Sequence, residues 1–308
     1  MRNVLITGAN GFVGHHVVGR VDTNVAIFTP SSHELDLMDQ QALKVYCYKN
    51  DINSIIHLAS LCGGIGANKV NPAPFIFQNL QLGINVLEVA RICQMERVVN
   101  LGTVCMYPKF SQIPFVEDDI WEGYPEETNA PYGIAKKTVM EMGIAYHRQY
   151  GLQIVNLVPV NMGGEFDHFD LEKSHVLPAL IRKFEEAKKA GVKKIVLWGT
   201  GNASREFLYA GDCASLIWKA LIGPYYGPSP INVGTGDEIT IANLALMIKK
   251  IGDYKDVEIE WDTSKPDGQP RRCLDVSKAK NVYGWSATTP LSSIVLKTIK
   301  WYREQNNS

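Results

Sequence analysis

Cysteine is scarce and unpatterned in this 308-residue chain. The six residues Cys47, Cys62, Cys93, Cys105, Cys213 and Cys273 form no CxxC pair and share no zinc-type spacing with histidine. That argues against a disulfide framework and leaves no metal-ligand set. Reduced thiols in a cytoplasmic protein are expected, five of them small buried residues and Cys105 set apart. Charge of one sign is missing as well. With 31 Lys and Arg against 32 Asp and Glu, the net charge is -1, so electrostatics give no reason to expect nucleic acid or an anionic membrane as partner. No apolar run approaches the ~18 residues a membrane span needs. Met1–Ile6 enters a strand pattern directly, so no signal peptide is expected. Repeats and low-complexity stretches are absent too. What remains is an ordinary globular composition, 45% hydrophobic and 20% charged, long enough for one large domain or two smaller ones.

Strand and helix signals alternate through the first half. Short runs rich in β-branched residues occur at Asn3–Ile6, Val25–Phe28, Ser54–Ala59, Arg97–Gly102 and Ile154–Val160. Between them lie amphipathic stretches of helical length, Gln40–Tyr48, Pro74–Cys93 and Ala130–Tyr150. Continuous apolar strands alternating with helices predict an α/β fold, a Rossmann-type doubly wound parallel sheet. After about residue 162 the rhythm loosens. A Gly-, Asp-, Glu- and His-rich segment (Gly163–Lys173) leads into helix His175–Lys189, strand Lys193–Trp198 and a helix near Asp212–Leu221. Helix Ile241–Ile251, strand Val257–Trp261 and helix Leu291–Glu304 follow. The expected division is residues 1–162 plus about 206–230 as a nucleotide-binding domain. Residues 163–205 and 231–308 would form a smaller α/β substrate lobe.

Gly8-Ala9-Asn10-Gly11-Phe12-Val13-Gly14 follows the first strand and opens a helix. This GxxGxxG in a strand-turn-helix setting suits a dinucleotide pyrophosphate. The first glycine permits the tight turn, the middle one lets backbone N–H groups approach the phosphates, and the last allows close helix packing. The helix start adds favourable potential for the anion. An acid after the second strand would favour NAD and an arginine NADP. Phe28-Thr29-Pro30-Ser31-Ser32-His33 carries neither; the Ser31 and Ser32 hydroxyls suit a phosphate or a turn cap, so the choice stays open.

Thr103-Val104-Cys105-Met106-Tyr107-Pro108 places a hydroxyl and a thiol where a strand would end, and Tyr132 and Lys136 form a YxxxK pair on one helix face. A nearby ammonium can lower a phenol from about 10 towards neutrality. A phenol so tuned can exchange a proton with a carbonyl oxygen during hydride transfer.

Several segments together resemble the GDP-L-fucose synthases, extended short-chain dehydrogenase/reductases that epimerise and then reduce a GDP-4-keto-6-deoxy sugar. They include Gly63-Gly64-Ile65-Gly66-Ala67-Asn68, Cys105–Lys109, Asn129–Lys136, Tyr146–Gly151, Phe169–Leu180 with its SHVLPAL core, Trp198–Gly201, Arg205–Leu208 and Thr263–Arg271 with its KPDG turn. The resemblance runs nearly end to end. It implies conversion of GDP-4-keto-6-deoxy-D-mannose to GDP-L-fucose with NADPH, with NADH left open, in a homodimer formed through the Pro74–Cys93 and Ala130–Tyr150 helices.

Carried over position by position, the resemblance makes Tyr132 the proton donor to the C4 oxygen and Lys136 the group that binds the nicotinamide ribose. Thr103 stands where the family usually has serine. Cys105 and His175 match the pair that moves protons at C3 and C5. A thiol near about 8.5 and an imidazole near about 6.5 are both within reach of neutral pH, as inversion beside a ketone requires. The implied cofactor contacts are Gly8, Asn10, Gly11, Phe12, Val13, Gly14, Ser32, Leu58, Ala59, Leu101, Lys136, Pro159, Asn161, Met162 and His175. Lys183, Trp198, Arg205 and Asp267 match substrate positions; Arg272 either joins them or belongs to a solvated basic surface. His15, His16, His33, His57, His147 and His168 are expected to be structural or solvated. Asn161-Met162-Gly163-Gly164-Glu165 departs from the family's Asn-Leu-Tyr-Gly-Pro, which predicts a looser wall beside the site. The competing readings are a pure 4-reductase or an epimerase/reductase of a related GDP-keto sugar such as a 6-deoxy-heptose, a sugar-nucleotide 4-epimerase with tightly held NAD, and a non-catalytic nicotinamide-binding sensor.

Overall fold

A computed structural model describes residues 2–21, 25–170, 174–265 and 267–306. Leu171, Glu172, Lys173 and Pro266, which belong to the matching segments named above, lie outside the described residues. The strands are β1 (Arg2–Thr7), β2 (Val25–Phe28), β3 (Ser54–His57), β4 (Arg97–Leu101), β5 (Ile154–Pro159), β6 (Asn161–Gly163), β7 (Lys194–Trp198), β8 (Ser204–Tyr209), β9 (Gly227–Val233), β10 (Glu238–Thr240) and β11 (Glu258–Asp262). The helices are α1 (Phe12–Val18), α2 (Gln40–Lys49), α3 (Ile65–Val70), α4 (Pro72–Ile92), α5 (Ala130–Tyr150), α6 (Val176–Ala190), α7 (Ala210–Ile222), α8 (Ile241–Ile251), α9 (Ser277–Tyr283) and α10 (Leu291–Asn306). No described helix is long and apolar enough to cross a membrane.

Six strands form one sheet in the order β2-β1-β3-β4-β5-β9, and every pairing in it is parallel. Side chains alternate across it. Val4, Ile6, Ile56 and Val99 enter one apolar core with α7, whereas Leu5, Ile55 and Val98 enter another with α2 and α4. Both faces are therefore covered, which is why these strands read as continuous apolar runs. The chain leaves β1 for β2 on one side and returns to β3 on the other. That reversal opens a crevice at the carboxyl ends of β1 and β3.

A separate core unites α6, α8 and α10 with β7 and β8 through Leu177, Phe184, Leu197, Phe207, Leu244 and Ile294. Short sheets β10-β8-β6 and β11-β7 complete this part. The strand β9 and the helix α9 pack on the first core through Ile231, Val233 and Ala279. Glu206 ties the parts together. Its buried carboxylate accepts from the backbone N–H of Thr235, of Gly236 at 2.8 Å and of Leu274 at 2.7 Å.

Helix α5 lies against the turn after β4. A Cβ on Gly133 would fall 2.1 Å from the Cys105 carbonyl oxygen, so glycine here sets how closely the helix approaches. Gly133→Ala is expected to lower unfolding stability by about 1–3 kcal/mol, the usual range for overpacking. Chemical denaturation checks it, and an unchanged midpoint would mean that α5 moves aside without strain.

Candidate functional site

Four segments converge at one end of the large sheet: the turn after β4 with Thr103 and Cys105, the first turns of α5 with Tyr132 and Lys136, the loop after β3 with Ser60 and Cys62, and the start of α6 with His175. Position follows from local structure. Thr103 lies two residues past the end of β4, and its Oγ1 accepts from the Cys105 N–H at 3.2 Å, capping the short turn that carries the thiol. Pro131 at the start of α5 suits a first helical turn that needs few N–H donors.

Tyr132 and Lys136 are both buried. The Tyr132 hydroxyl faces the Ser60 hydroxyl and the Cys62 thiol, and it lies in the field of Cys105. Burial first, then the Cys62 charge, holds this phenol well above its ordinary range. Lys136 Nζ donates to the Leu101 carbonyl at 3.0 Å, and burial lowers it to about 8. The shift of Tyr132 runs opposite to the expected depression by Lys136, because desolvation is the largest influence on both groups.

His175 is the N-cap residue of α6, its side chain free of the helix backbone. Its Nε2 lies 3.5 Å from Cys62 Sγ. Burial alone would lower the ring, but Cys62, then Asp167 and Cys105, together raise it to about 9. Asp167 is buried, one carboxylate oxygen accepting from the His168 N–H at 2.8 Å and the other without a hydrogen-bond partner among the described residues. Desolvation pushes Asp167 up to about 6 against the pull of His175. The expectation of five buried cysteines fails at Cys62. It is exposed and belongs to the cluster, while Cys93 is half-buried and Cys47, Cys213 and Cys273 are buried. Ser60 and Cys62 escaped sequence reasoning because they precede the Gly63–Asn68 segment instead of falling inside it.

At the glycine-rich turn Gly8 has φ +70, and a Cβ there would meet the Ala59 N–H nitrogen at 2.7 Å. Thr7 Oγ1 accepts from the N–H groups of Leu58 and Ala59 at 3.2 and 3.3 Å, stitching the ends of β1 and β3. These contacts hold the turn after β1 tightly against the loop after β3, beside the crevice. One of the three Lys136 donors is used by Leu101, so the ammonium can also serve a ribose. These features fit a dinucleotide. After β2, the Ser31 N–H donates to Glu34 Oε2 at 2.7 Å and Ser32 is exposed.

Lys183 and Lys265 lie 6.0 and 5.7 Å from the exposed Trp198 ring. Asp267 instead closes the neighbouring turn, accepting from the Thr200 N–H at 2.7 Å and its hydroxyl at 2.8 Å. Arg205 donates to the Asp267 carbonyl at 3.2 Å. Arg272 corrects the solvated-surface alternative. It is buried, donates to Gln269 Oε1 at 2.7 Å, and reaches Cys105 Sγ at 3.7 Å. The expected loose wall at 161–165 is also corrected. Residues Asn161–Gly163 pair with β8, and Glu165 holds Lys297 and the Tyr209 hydroxyl, each at 3.0 Å. Among the other histidines, His57 is buried on Thr7 Oγ1 at 2.9 Å and lowered to about 3, His16 contacts the Glu165 carbonyl, and His147 contacts that of Leu152.

The pattern of the NAD dependent epimerase/dehydratase family matches residues 4–234. The chain is 39% identical over 306 residues to a probable GDP-L-fucose synthase 1 of Oryza sativa subsp. japonica, covering 98% of this chain and 92% of that protein. It is 36% identical over 307 residues to a GDP-L-colitose synthase of Yersinia pseudotuberculosis, covering 99% of each. Among solved structures, a GDP-mannoheptose C4 reductase of Campylobacter jejuni with NADP bound superposes with a TM-score of 0.85 at 28% identity, covering 98% of each chain.

In Asp167→Asn the His175 ring should titrate at lower pH than in the parent protein, because one of the charges that raise it is gone. NMR of the ring protons reads this directly, and an unmoved midpoint would remove Asp167 from the site.

Proposed function

The chain belongs to the NAD dependent epimerase/dehydratase family, and from that premise we propose that it epimerises and reduces a GDP-linked 4-keto-6-deoxy sugar with NADPH. GDP-4-keto-6-deoxy-D-mannose is the assigned substrate and GDP-L-fucose the product. The observation that carries this reading is the meeting of one phenol, one imidazole and the thiols at a single place. His175 feels both Cys62 and Cys105, and Tyr132 faces the same thiols. Inverting a carbon beside a ketone needs a base on one face and an acid on the other, and reducing that ketone needs a proton on oxygen. The cluster holds groups for both.

Cys105 and His175 move the protons at C3 and C5. Tyr132, assisted by the Thr103 hydroxyl, donates a hydrogen bond to the C4 oxygen, which stabilises the enolate and later the alkoxide. Lys136 holds the ribose, and its ammonium there favours the ionised phenol that burial alone disfavours. When bound, the nicotinamide supplies the hydride that reduces C4. The Gly8 turn with Leu58 and Ala59 seats the pyrophosphate. Lys183, with Lys265, places positive charge for the GDP diphosphate beside the flat face of Trp198. Arg205 and Asp267 shape the turn on which that surface stands.

A second reading, 4-reduction of a related GDP-keto sugar such as a 6-deoxy-heptose, is favoured by the likeness to the Campylobacter jejuni GDP-mannoheptose C4 reductase. The assembly is read as a cytoplasmic homodimer through α4 and α5, where Phe77 and Ile84 are exposed. Phe77→Glu should then halve the mass in light scattering, and an unchanged mass would remove that face as the contact.

Incubation with NADPH and GDP-4-keto-6-deoxy-mannose in deuterated water, with the product read by NMR, tests the function. Deuterium at C3 and C5 of a fuco-configured product is expected. Cofactor oxidation without label would leave a simple reductase, and no turnover would refute this substrate. Tyr132→Phe should slow reduction by about 10²–10⁴-fold, with NADPH affinity held within a few-fold. Cys105→Ser should suppress the label, and labelling at the parent rate would remove Cys105 from epimerisation.

A further inference from the structure

The loop that carries Cys62 is built with care on both sides of the thiol. Asn79 of α4, buried, accepts from the Ser60 hydroxyl at 2.7 Å and the Leu61 N–H at 3.0 Å, and it donates to the Leu61 carbonyl at 2.9 Å. Asn68 of α3, also buried, donates to the carbonyls of Gly63 and Gly64 at 2.8 and 3.0 Å. Two buried amides thus fix the backbone immediately before and after Cys62. The fixed thiol lies 3.5 Å from His175 Nε2 and within hydrogen-bonding reach of the Tyr132 hydroxyl. Cys62 as a residue is exposed, while burial weighs on its sulfur.

We infer that Cys62 is a positioning residue of the site, a second thiol that hydrogen-bonds the His175 ring and keeps that ring in its proton-donating form. The inference deepens the proposed function, since it rests on His175 as a group that moves protons. Moving the Cys62 proton onto Nε2 gives a thiolate beside an imidazolium with no net proton gained. When the ring gives its proton to a sugar carbon, the thiolate takes one from solvent and passes it to Nε2, while the proton abstracted from the opposite face of the sugar returns to solvent, so that no net proton is gained or lost.

Physical chemistry supports the pair. His175 caps the amino end of α6, where the helix dipole disfavours a cation, so a facing anion is needed to hold the ring charged. The groups around the ring are Cys62, Asp167 and Cys105, each favouring the imidazolium. Those around Cys62 are His175, Tyr132 and Lys136. All three favour the thiolate, and together they outweigh the burial of the sulfur atom. The pair is lost as pH rises through about 9, where the ring gives up its proton.

The experiment is the pH dependence of iodoacetamide alkylation of the full-length protein, with Cys62 followed by peptide mass spectrometry. The expected midpoint for Cys62 lies below the ordinary thiol value of about 8.5, and His175→Asn should move it upward and slow alkylation at neutral pH by roughly tenfold or more. The reciprocal measurement uses Cys62→Ser, in which the His175 ring should titrate at lower pH by NMR. Should His175→Asn fail to fold, Cys62→Ser decides alone. An ordinary Cys62 midpoint that ignores His175→Asn, or a His175 midpoint that ignores Cys62→Ser, overturns the inference. Labelling of the sugar in deuterated water separates this outcome from the broader reading. A coupled pair without label in the parent upholds the Cys62–His175 pairing and refutes the epimerase. Label in the parent with uncoupled titrations does the reverse.

Discussion

The close approach of α5 to the Cys105 carbonyl is the contact on which the site depends. Gly133 permits it, and through it the one helix that carries both Tyr132 and Lys136 sits over the turn that ends β4. Interiors are packed too tightly to absorb a misplaced helix. A shift of α5 would therefore carry the phenol away from Ser60 and Cys62 and the ammonium away from Leu101 together. The large sheet provides the foundation for that contact. Its parallel order brings the carboxyl ends of β1, β3 and β4 side by side, and the loops leaving those ends are the glycine-rich turn, the Cys62 loop and the Cys105 turn.

Electrostatics in this cluster follow from shared burial. Tyr132 and Lys136 are each driven towards neutrality by desolvation. His175 moves the other way because charges of opposite sign surround it. Groups with pKa values pushed apart in one place suit the acid–base chemistry proposed for the carbons on either side of the ketone. His175 stands at the start of α6, which packs in the second core, so the cluster draws on both hydrophobic cores. Glu206, with its backbone partners at Thr235, Gly236 and Leu274, holds the two in register.

Much of this was legible along the chain. The strands β1 to β5 and the helices α4 to α6 fall where apolar periodicity puts them, because each element's burial pattern repeats at its own period. The strands β6, β8, β9 and β10 were not, since β6 and β10 are three residues long and β8 and β9 mix polar, Gly and Pro residues into their apolar positions instead of forming a continuous apolar run. Cys62 and Arg272 failed for another reason. A lone cysteine and a basic residue after a turn have no local signature of their surroundings, and here the deciding neighbours come from elsewhere in the chain, Asn79 and His175 around Cys62 and Cys105 beside Arg272.

The sequence by itself determined the sheet, the glycine-rich turn and the YxxxK helix face, because these rest on spacing within a single segment. It also carried the family resemblance, which depends on residue identity alone. Tertiary structure decided which thiol faces His175, that burial raises the Tyr132 phenol, and that Arg272 is buried beside Cys105. Each of these depends on distances between residues far apart in the chain and on the water that folding removes from between them, and neither quantity is written in local order.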